Sequence, residues 1–269
     1  MAKNSTYKIT KIEAQKRPGR YNVYLNDEYA FPISEEAMIK YRIFKGTILT
    51  KQNIADLKYS DSIYKLIGKA VNFISYRTRT EKEIKDKLGE LTEDQTVIEK
   101  VLDHLQKMHL IDDENYANTY TEQIAAGQNK GPMAIKQYLM KKGISEDIII
   151  TAIDNYYSDS KIQENATKVA QQQFDHYNRY PYNKRIEKVK LSMVRKGFSF
   201  SDIDNALVEI DDQVDNQLQD ELLVKEGNKL LKRYQNEDDF KKTQKLKQAL
   251  FRKGFSFDDI DEFLEGITK

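Results

Sequence analysis

Hydrophobic and polar positions follow two different periods along this chain. In the first forty residues apolar and polar side chains alternate, as at Tyr7 and Ile9 and on both sides of the Asn26-Asp27 pair. A period of two is typical of β-strands, and a turn-forming pair between two such runs predicts a hairpin. From Thr50 onward apolar residues recur every three or four positions, which predicts only helices in the rest of the chain. A break in the first of these helices is left open at Ser60-Asp61-Ser62.

The helical part contains an internal repeat. Residues 195–204, RKGFSFSDID, return at residues 252–261 as RKGFSFDDID, 57 positions later, and a looser copy at residues 141–148 lies 54 positions before the first. A fourth, more divergent unit around Ile84 and Leu88 lacks the glycine. Three short amphipathic helices cannot bury their faces in isolation, so the repeat predicts units that stack on their neighbours.

Local signals predict where the helices of each unit begin and end. A Lys-Gly step in three copies predicts a left-handed glycine that stops the first helix. Ser145, Ser201 and Asp258 are predicted to cap the second helices, and Thr80 with Glu83 to cap the first helix of the divergent unit. The three glycines are Gly143, Gly197 and Gly254.

The predicted fold class is mainly α: tandem three-helix repeats that form an extended curved array, with a small N-terminal β-rich domain. The predicted domains are a β-hairpin-rich domain at 1–48, a linking helical segment at 49–75, three-helix repeats at 76–127, 128–181 and 182–236, and a partial fourth repeat at 237–269.

Charge is balanced overall but segregated within the repeats. The chain has 44 Lys and Arg against 43 Asp and Glu, yet residues 182–197 hold six basic residues against one acid, and residues 241–254 hold six and no acid. Residues 198–212 and 255–265 are the reverse, with five acids each and no base. A charge run is usually a solvated face, and basic and acidic helices can pair for purely structural reasons. Recurrence at one repeat position favours a basic line that follows a filament groove or a phosphate backbone.

The N-terminal β-rich region is also basic and rich in tyrosine. Residues 1–60 contain eleven Lys and Arg against six acids. Such a surface can stack on single-stranded nucleic acid. The favoured interpretation is that the tyrosines cover a thin hydrophobic core.

Several classes of function are excluded or disfavoured by residue type. There is no cysteine, and the three histidines, His104, His109 and His176, are not spaced as metal ligands. No phosphate-binding loop or catalytic motif is present, so we expect no enzyme, no catalytic residue, no metal and no cofactor. The start of the chain lacks a signal peptide and no apolar run is long enough to span a membrane, which predicts a cytoplasmic protein without a membrane partner. The acids on the second helices argue against sequence-specific recognition of duplex DNA by these helices in the major groove.

Four stretches occur in an informative order and spacing: YRTRTEKEI at 76–84, LIDDENYA at 110–117, KGP at 130–132 and KGI at 142–144. Over about residues 70–265 the chain thereby resembles the RecX family of bacterial recombinase regulators. The resemblance implies an all-helical body of three-helix repeats that binds the RecA recombinase filament. It also implies modulation, mainly inhibition, of ATP hydrolysis and strand exchange in recombination and SOS DNA repair.

The candidate contact residues come from the family motif and from the charge pattern. Arg77 and Arg79 match the motif, whereas the others follow from charge, and Lys142 and Lys196 have helix termination as a competing role. Whether the contact is with RecA, with single- or double-stranded DNA, or with both stays open; no small-molecule substrate is expected. The alternatives are a non-enzymatic DNA-binding protein that uses a basic helical-repeat surface, and a helical-repeat adaptor. The candidates are Arg77, Arg79, Lys141, Lys142, Arg185, Lys188, Lys190, Arg195, Lys196, Lys247, Arg252 and Lys253.

Overall fold

The computed structural model of the chain describes residues 6–127, 129–211 and 216–268. It separates into two compact units, Met1–Tyr116 with Lys142–Ile144, and Ala117–Lys141 with Ser145–Lys269. The strands are β1 (Thr6–Ala14), β2 (Arg20–Leu25), β3 (Glu28–Ser34) and β4 (Ile48–Thr50). The helices are α1 (Glu35–Lys40), α2 (Lys51–Ile74), α3 (Glu81–Gly89), α4 (Gln95–Lys107), α5 (Asp113–Ala125), α6 (Pro132–Lys141), α7 (Glu146–Tyr156), α8 (Asp159–His176), α9 (Tyr182–Arg195), α10 (Phe200–Asp211), α11 (Asn216–Arg233), α12 (Asp239–Lys253) and α13 (Phe257–Thr268).

The first unit opens with an antiparallel sheet in the order β3-β2-β1-β4. The predicted hairpin is confirmed: Asn26 and Asp27 have φ of 51° and 71°, the left-handed pair of a tight two-residue turn. Tyr7 and Tyr21 pack against the core of this sheet, which includes Ile9, Val23, Phe31, Ile33 and Leu57. For these two tyrosines the structure supports the core interpretation. The sequence did not predict α1 and β4, which are too short to show a period.

The break left open in the first long helix is absent, since α2 runs without interruption through Asp61. The Asp61 carboxylate is almost buried, and it accepts hydrogen bonds from Arg20 Nη1 at 2.7 Å and Nη2 at 3.0 Å. The backbone N–H of Ser34 donates to the same carboxylate at 2.7 Å. Asp61 therefore links the sheet to α2, because its carboxylate accepts hydrogen bonds from three donors of the β-strands.

Three-helix packing confirms the predicted fold class. In the first unit one core joins α2, α3 and α4, with Leu66, Ile84 and Leu102 among its buried residues. In the second unit another core joins α11, α12 and α13 through Leu230, Leu250 and related side chains. Each core groups a first helix with the helix before it and the helix after it. A repeat's period does not determine where the repeat begins, so the domain boundaries stay predictions, as does the curvature of the array.

The three turn glycines adopt the predicted left-handed backbone, with φ of +87° at Gly143, +86° at Gly197 and +103° at Gly254. Each of them also packs against the first turn of another helix. A Cβ added at Gly197 would lie 2.7 Å from Ala134 Cβ, and one added at Gly254 would lie 2.8 Å from Lys184 Cβ. Glycine is therefore required at these positions for two reasons: the left-handed backbone conformation and the close approach of the neighbouring helix.

These turns join the ends of successive basic helices in the second unit. Gly131 N donates to Lys196 O at 2.9 Å, and Met133 N donates to Gly197 O at 3.0 Å, so the first turn of α6 satisfies the last carbonyls of α9. Gly254, after α12, lies against the first turn of α9, at Lys184. The helices α6, α9 and α12 consequently follow one another end to end, with opposite helix-dipole ends in contact.

The predicted caps of the last two second helices are wrong by two residues. In place of Ser201 and Asp258, the residues that precede α10 and α13 are Ser199 and Ser256. Ser199 accepts from Asp202 N at 3.2 Å while its own N–H donates to the Asp202 carboxylate at 3.0 Å. Either serine in the Ser-Phe-Ser run could cap a helix, and only the reciprocal bond selects Ser199. The predicted Thr80–Glu83 capping box is confirmed.

Candidate functional site

Three of the candidate cations surround one carboxylate in the first unit. Glu83 Oε1 lies 3.0 Å from Arg77 Nη2, 3.8 Å from Arg79 Nη1 and 2.7 Å from Lys142 Nζ. Thr80 positions this group from both sides: its N–H donates to Glu83, and its hydroxyl donates to Lys142 O at 2.8 Å. The cluster carries an excess of positive charge, and the side chain of Arg77 is half exposed.

The ionisation of Glu83 is linked to this cluster. Burial raises the pKa of Glu83, but the hydrogen bonds from Lys142 and Thr80 and the charges of Lys142 and Arg77 outweigh burial, so the net pKa is lowered. Because the folded state holds the pKa below its ordinary value of 4.5, the charge contributes stability at neutral pH. That contribution is lost as the pH falls through the folded pKa.

We expect Glu83→Gln to lower the free energy of unfolding by about 1–2 kcal/mol at pH 7, because glutamine keeps the cap but removes the negative charge that faces the three cations. Chemical denaturation from pH 7 down to 3 should show the difference from the parent chain shrinking as the carboxylate protonates. Glu90→Gln, an exposed partner of Lys87 near the end of the same helix, serves as the control and should change stability by less than about 0.5 kcal/mol. A loss that is constant over this pH range would contradict an electrostatic role.

A second group of candidates pairs with the acidic helices of its own repeat. Lys190 Nζ lies 2.8 Å from Asp204, and Lys247 Nζ lies 2.6 Å from Asp261. Both lysines stand seven positions before their turn glycine and both acids seven after, so the pair itself is repeated. The structural alternative, pairing of basic and acidic helices, is realised at these lysines. Exposed pairs of this kind are weak, so the lysines stay able to exchange their carboxylate for a partner.

Lys253 and Arg185 also have internal partners. Lys253 Nζ lies 2.8 Å from Glu226. Arg185 is 5% exposed, its Nε donates to Phe174 O at 2.6 Å, and its guanidinium lies 3.3 Å from the Phe174 ring centroid. Burial lowers the pKa of Arg185. This arginine therefore stabilises the packing of α9 on α8, and the contact role predicted for it stays untested.

Lys188, in α9, lies beside two tyrosines of the segment that precedes this helix. Its Nζ lies 4.4 Å from the ring centroid of Tyr180 and 5.6 Å from that of Tyr177. The two tyrosine rings meet edge to face at 6.1 Å. This arrangement was not predicted, because the tyrosines lie outside the repeated motif.

The last candidates stand at the turns. Arg195 and Arg252 occupy the position two before the glycine, as Lys141 does in the earlier copy, and Lys196 occupies the next position. Both arginines are exposed, and no carboxylate in the described part of the chain lies within 4.0 Å of either guanidinium. Arg252 Nε donates to Gln248 O, at 3.3 Å. These are the candidate charges best placed to meet a partner.

An apolar cavity in the first unit adjoins the arginine cluster. Its volume is about 280 Å³, and Phe73, Ile84 and Leu88 line it together with the exposed Tyr76. Arg79 covers the Phe73 ring at 4.0 Å from its centroid. Sequence reasoning missed this cavity because its walls come from two helices.

No group of His, Asp or Glu side chains in residues 6–127, 129–211 and 216–268 is arranged to hold a metal ion. No described helix has the length and apolar character needed to cross a bilayer.

Tandem three-helix domains that follow a small β-sheet domain along the chain define a mainly α, helical-repeat protein. Family models match along the chain: the regulatory protein RecX N-terminal domain at residues 7–50, and the first and second three-helix domains of RecX at 67–105 and 112–153. The third three-helix domain matches twice, at 159–207 and 218–264. The chain belongs to the RecX family.

Individual relatives agree with this assignment. The chain is 37% identical over 258 residues to "Regulatory protein RecX" of Limosilactobacillus reuteri, covering 96% of this chain and 97% of that protein. It is 38% identical over 259 residues to the protein of the same name from Levilactobacillus brevis, with the same coverage. A solved structure described as a crystal structure of regulatory protein RecX superposes with a TM-score of 0.67 at 38% identity, over 74% of this chain and 97% of that one. The relatives are thus named as regulatory proteins.

Proposed function

We propose that this chain is a non-enzymatic regulator that inhibits the RecA recombinase. It binds the RecA–DNA filament along its groove and reduces ATP hydrolysis and strand exchange in recombination and SOS DNA repair. Membership of the RecX family supports the partner, and the absence of a metal cluster in the described residues is compatible with a binding role. We place the protein in the cytoplasm, where such a filament forms.

One observation carries the proposal: at equivalent turns of two repeats an exposed arginine recurs that has no carboxylate partner among the described residues. In the second unit α6, α9 and α12 follow end to end, and Arg195 and Arg252 mark the same place in two repeats. A filament offers the same surface at regular intervals, so weak contacts at each repeat add through effective concentration. We propose as contacts all twelve candidates, with the exposed turn cations contributing most and buried Arg185 least.

The charge-reversed variant Arg195→Glu/Arg252→Glu should require at least about tenfold more protein for half-inhibition of RecA ATPase, because each change replaces attraction by repulsion. Lys225→Glu/Lys232→Glu, which makes the same charge change at exposed positions of α11, should inhibit as the parent does. Circular dichroism should show unchanged helical content in both variants. Equal inhibition by all three proteins would reject the arginines as contacts.

The alternative function is DNA binding without a recombinase, and the Tyr177–Tyr180–Lys188 cluster is the observation that favours it. Aromatic rings beside cations can stack on unpaired bases. Affinity for bare DNA that falls steeply between two salt concentrations, without ATPase inhibition at either, would establish this function instead.

A further inference from the structure

The two phenylalanines of the repeated RKGFSF segment have opposite environments. Phe198 and Phe255, the first of each pair, are each 3% exposed and belong to the core. Phe200 and Phe257, the second of each pair, are 75% and 56% exposed. We call this second pair the turn phenylalanines. The same residue type, two positions apart, is thus used once for packing and once at the surface in both repeats.

Helix capping explains the exposure of the turn phenylalanines. Ser199 is the cap of α10 and Ser256 precedes α13, so Phe200 and Phe257 are the first residues of their helices. A side chain at that position tilts toward the start of the helix and so lies beside the preceding turn. Because both repeats have the same backbone at this position, the phenylalanine is exposed in both.

The fold does not need an apolar residue at this position. In the earlier repeat the equivalent residue, three after Gly143, is the exposed Glu146, which forms an ion pair with Lys136. That repeat keeps its left-handed glycine and begins α7 at the same place. An exposed phenylalanine in water at a site where glutamate suffices indicates a binding role.

Neighbouring residues enlarge these apolar sites. Phe257 stacks on Phe251, with ring centroids 4.3 Å apart and planes 16° from parallel, and Phe251 is itself half exposed. The residue equivalent to Phe251 is Val194, which is also exposed. In each repeat one apolar residue stands three positions before the turn glycine and the phenylalanine three positions after it. Between them lies an arginine, Arg195 or Arg252, that has no carboxylate partner among the described residues.

We propose that the turn phenylalanines insert into apolar pockets on the protein subunits of the recombinase filament, with a carboxylate of each pocket facing Arg195 or Arg252. This inference rests on the proposed function and specifies the chemistry of the partner surface. Aromatic residues and arginine dominate the binding energy of protein interfaces, typically from the centre of the contact. Two equivalent sites, 57 residues apart in the chain, match a partner that presents the same pocket on successive subunits.

Charge distinguishes a protein pocket from DNA as the occupant. Acids stand within two residues after each ring: Asp202 after Phe200, and Asp258 and Asp259 after Phe257. A phosphate backbone close enough to stack a base on either ring would lie next to these carboxylates, which is repulsive. A protein surface can offer an apolar floor, a carboxylate for the arginine and cations for the acids within one contact.

The test removes the rings without changing charge. In Phe200→Ser/Phe257→Ser, binding of the fluorescently labelled chain to RecA filaments on single-stranded DNA should weaken about tenfold or more, as should ATPase inhibition. Phe200→Leu/Phe257→Leu should restore most of the binding, since leucine still fills an apolar pocket. Val208→Ser, which removes an apolar side chain 71% exposed on α10 away from the turn, is the matched control and should bind as the parent does.

The outcomes separate this inference from the proposed function. A serine variant that binds filaments as the parent does overturns the inference and leaves the proposed function standing. Affinity for bare single-stranded DNA that falls in parallel with filament binding also overturns it, in favour of base stacking. Sedimentation that shows the parent to be a dimer and the serine variant a monomer would overturn the inference as well. A parent chain that neither binds filaments nor inhibits their ATPase removes both proposals.

Discussion

Gly197→Ala is expected to destabilise the second unit by about 4 kcal/mol or more, enough to abolish its stable fold. Gly197 has φ of +86°, a conformation that costs a residue with a Cβ about 1–2 kcal/mol. The larger effect is steric, since the new Cβ would stand 2.7 Å from Ala134 Cβ and closer still to Ala134 N. The contact lies where α9 ends against the first turn of α6, and neither backbone can withdraw without losing the Met133–Gly197 hydrogen bond.

Gly46→Ala separates the two causes. Gly46 also has a positive φ, +98°, but no atom lies within 4 Å of its added Cβ. This control should therefore lose only about 1–2 kcal/mol, the backbone cost. Denaturant titrations followed by circular dichroism measure both variants. Equal losses would mean that close approach at Gly197 contributes nothing to stability.

Asp61→Ala is expected to destabilise the first unit by about 3–5 kcal/mol, the usual effect of removing one partner of a buried ion pair. The carboxylate accepts two hydrogen bonds from Arg20 and one from Ser34 N, so its loss leaves three donors unsatisfied. Asp56→Ala is the control on the same helix. Asp56 accepts from Gln52 in an exposed contact, and its loss should cost less than about 0.5 kcal/mol. A loss below 1 kcal/mol for Asp61→Ala would show that solvent or other residues replace the carboxylate.

Asp61 also shows where sequence patterns stop being informative. A Ser-Asp-Ser triplet inside an apolar period indicates a break when it is considered alone, because these residues compete for backbone hydrogen bonds. The helix continues because Asp61 bonds to Arg20, 41 positions away, and no local pattern predicts that partner. The two-residue error at Ser201 has a related cause: both serines suit a cap, and the reciprocal contact with Asp202 decides between them.

Charge patterns predicted the candidate surface only in part. Residue type located the basic helices and, through the repeat, the equivalence of Arg195 with Arg252. It did not distinguish Arg195 from Arg185, which lies ten positions earlier on the same helix and is buried against Phe174. It raised the pairing of basic with acidic helices as an alternative but did not identify Lys190 and Lys247 as the paired lysines, since that depends on how closely the second helix packs on the first.

By itself the sequence determined the local features of this protein: the hairpin, the helical periods, the left-handed glycines and the number and spacing of the repeated turns. These follow from interactions within a few residues, or from copies of one segment that must fold alike. Tertiary structure alone decided which cations are neutralised, which helix ends meet, and which of two identical phenylalanines is buried. Each of those outcomes depends on atoms that are distant along the chain and become neighbours only when the helices pack.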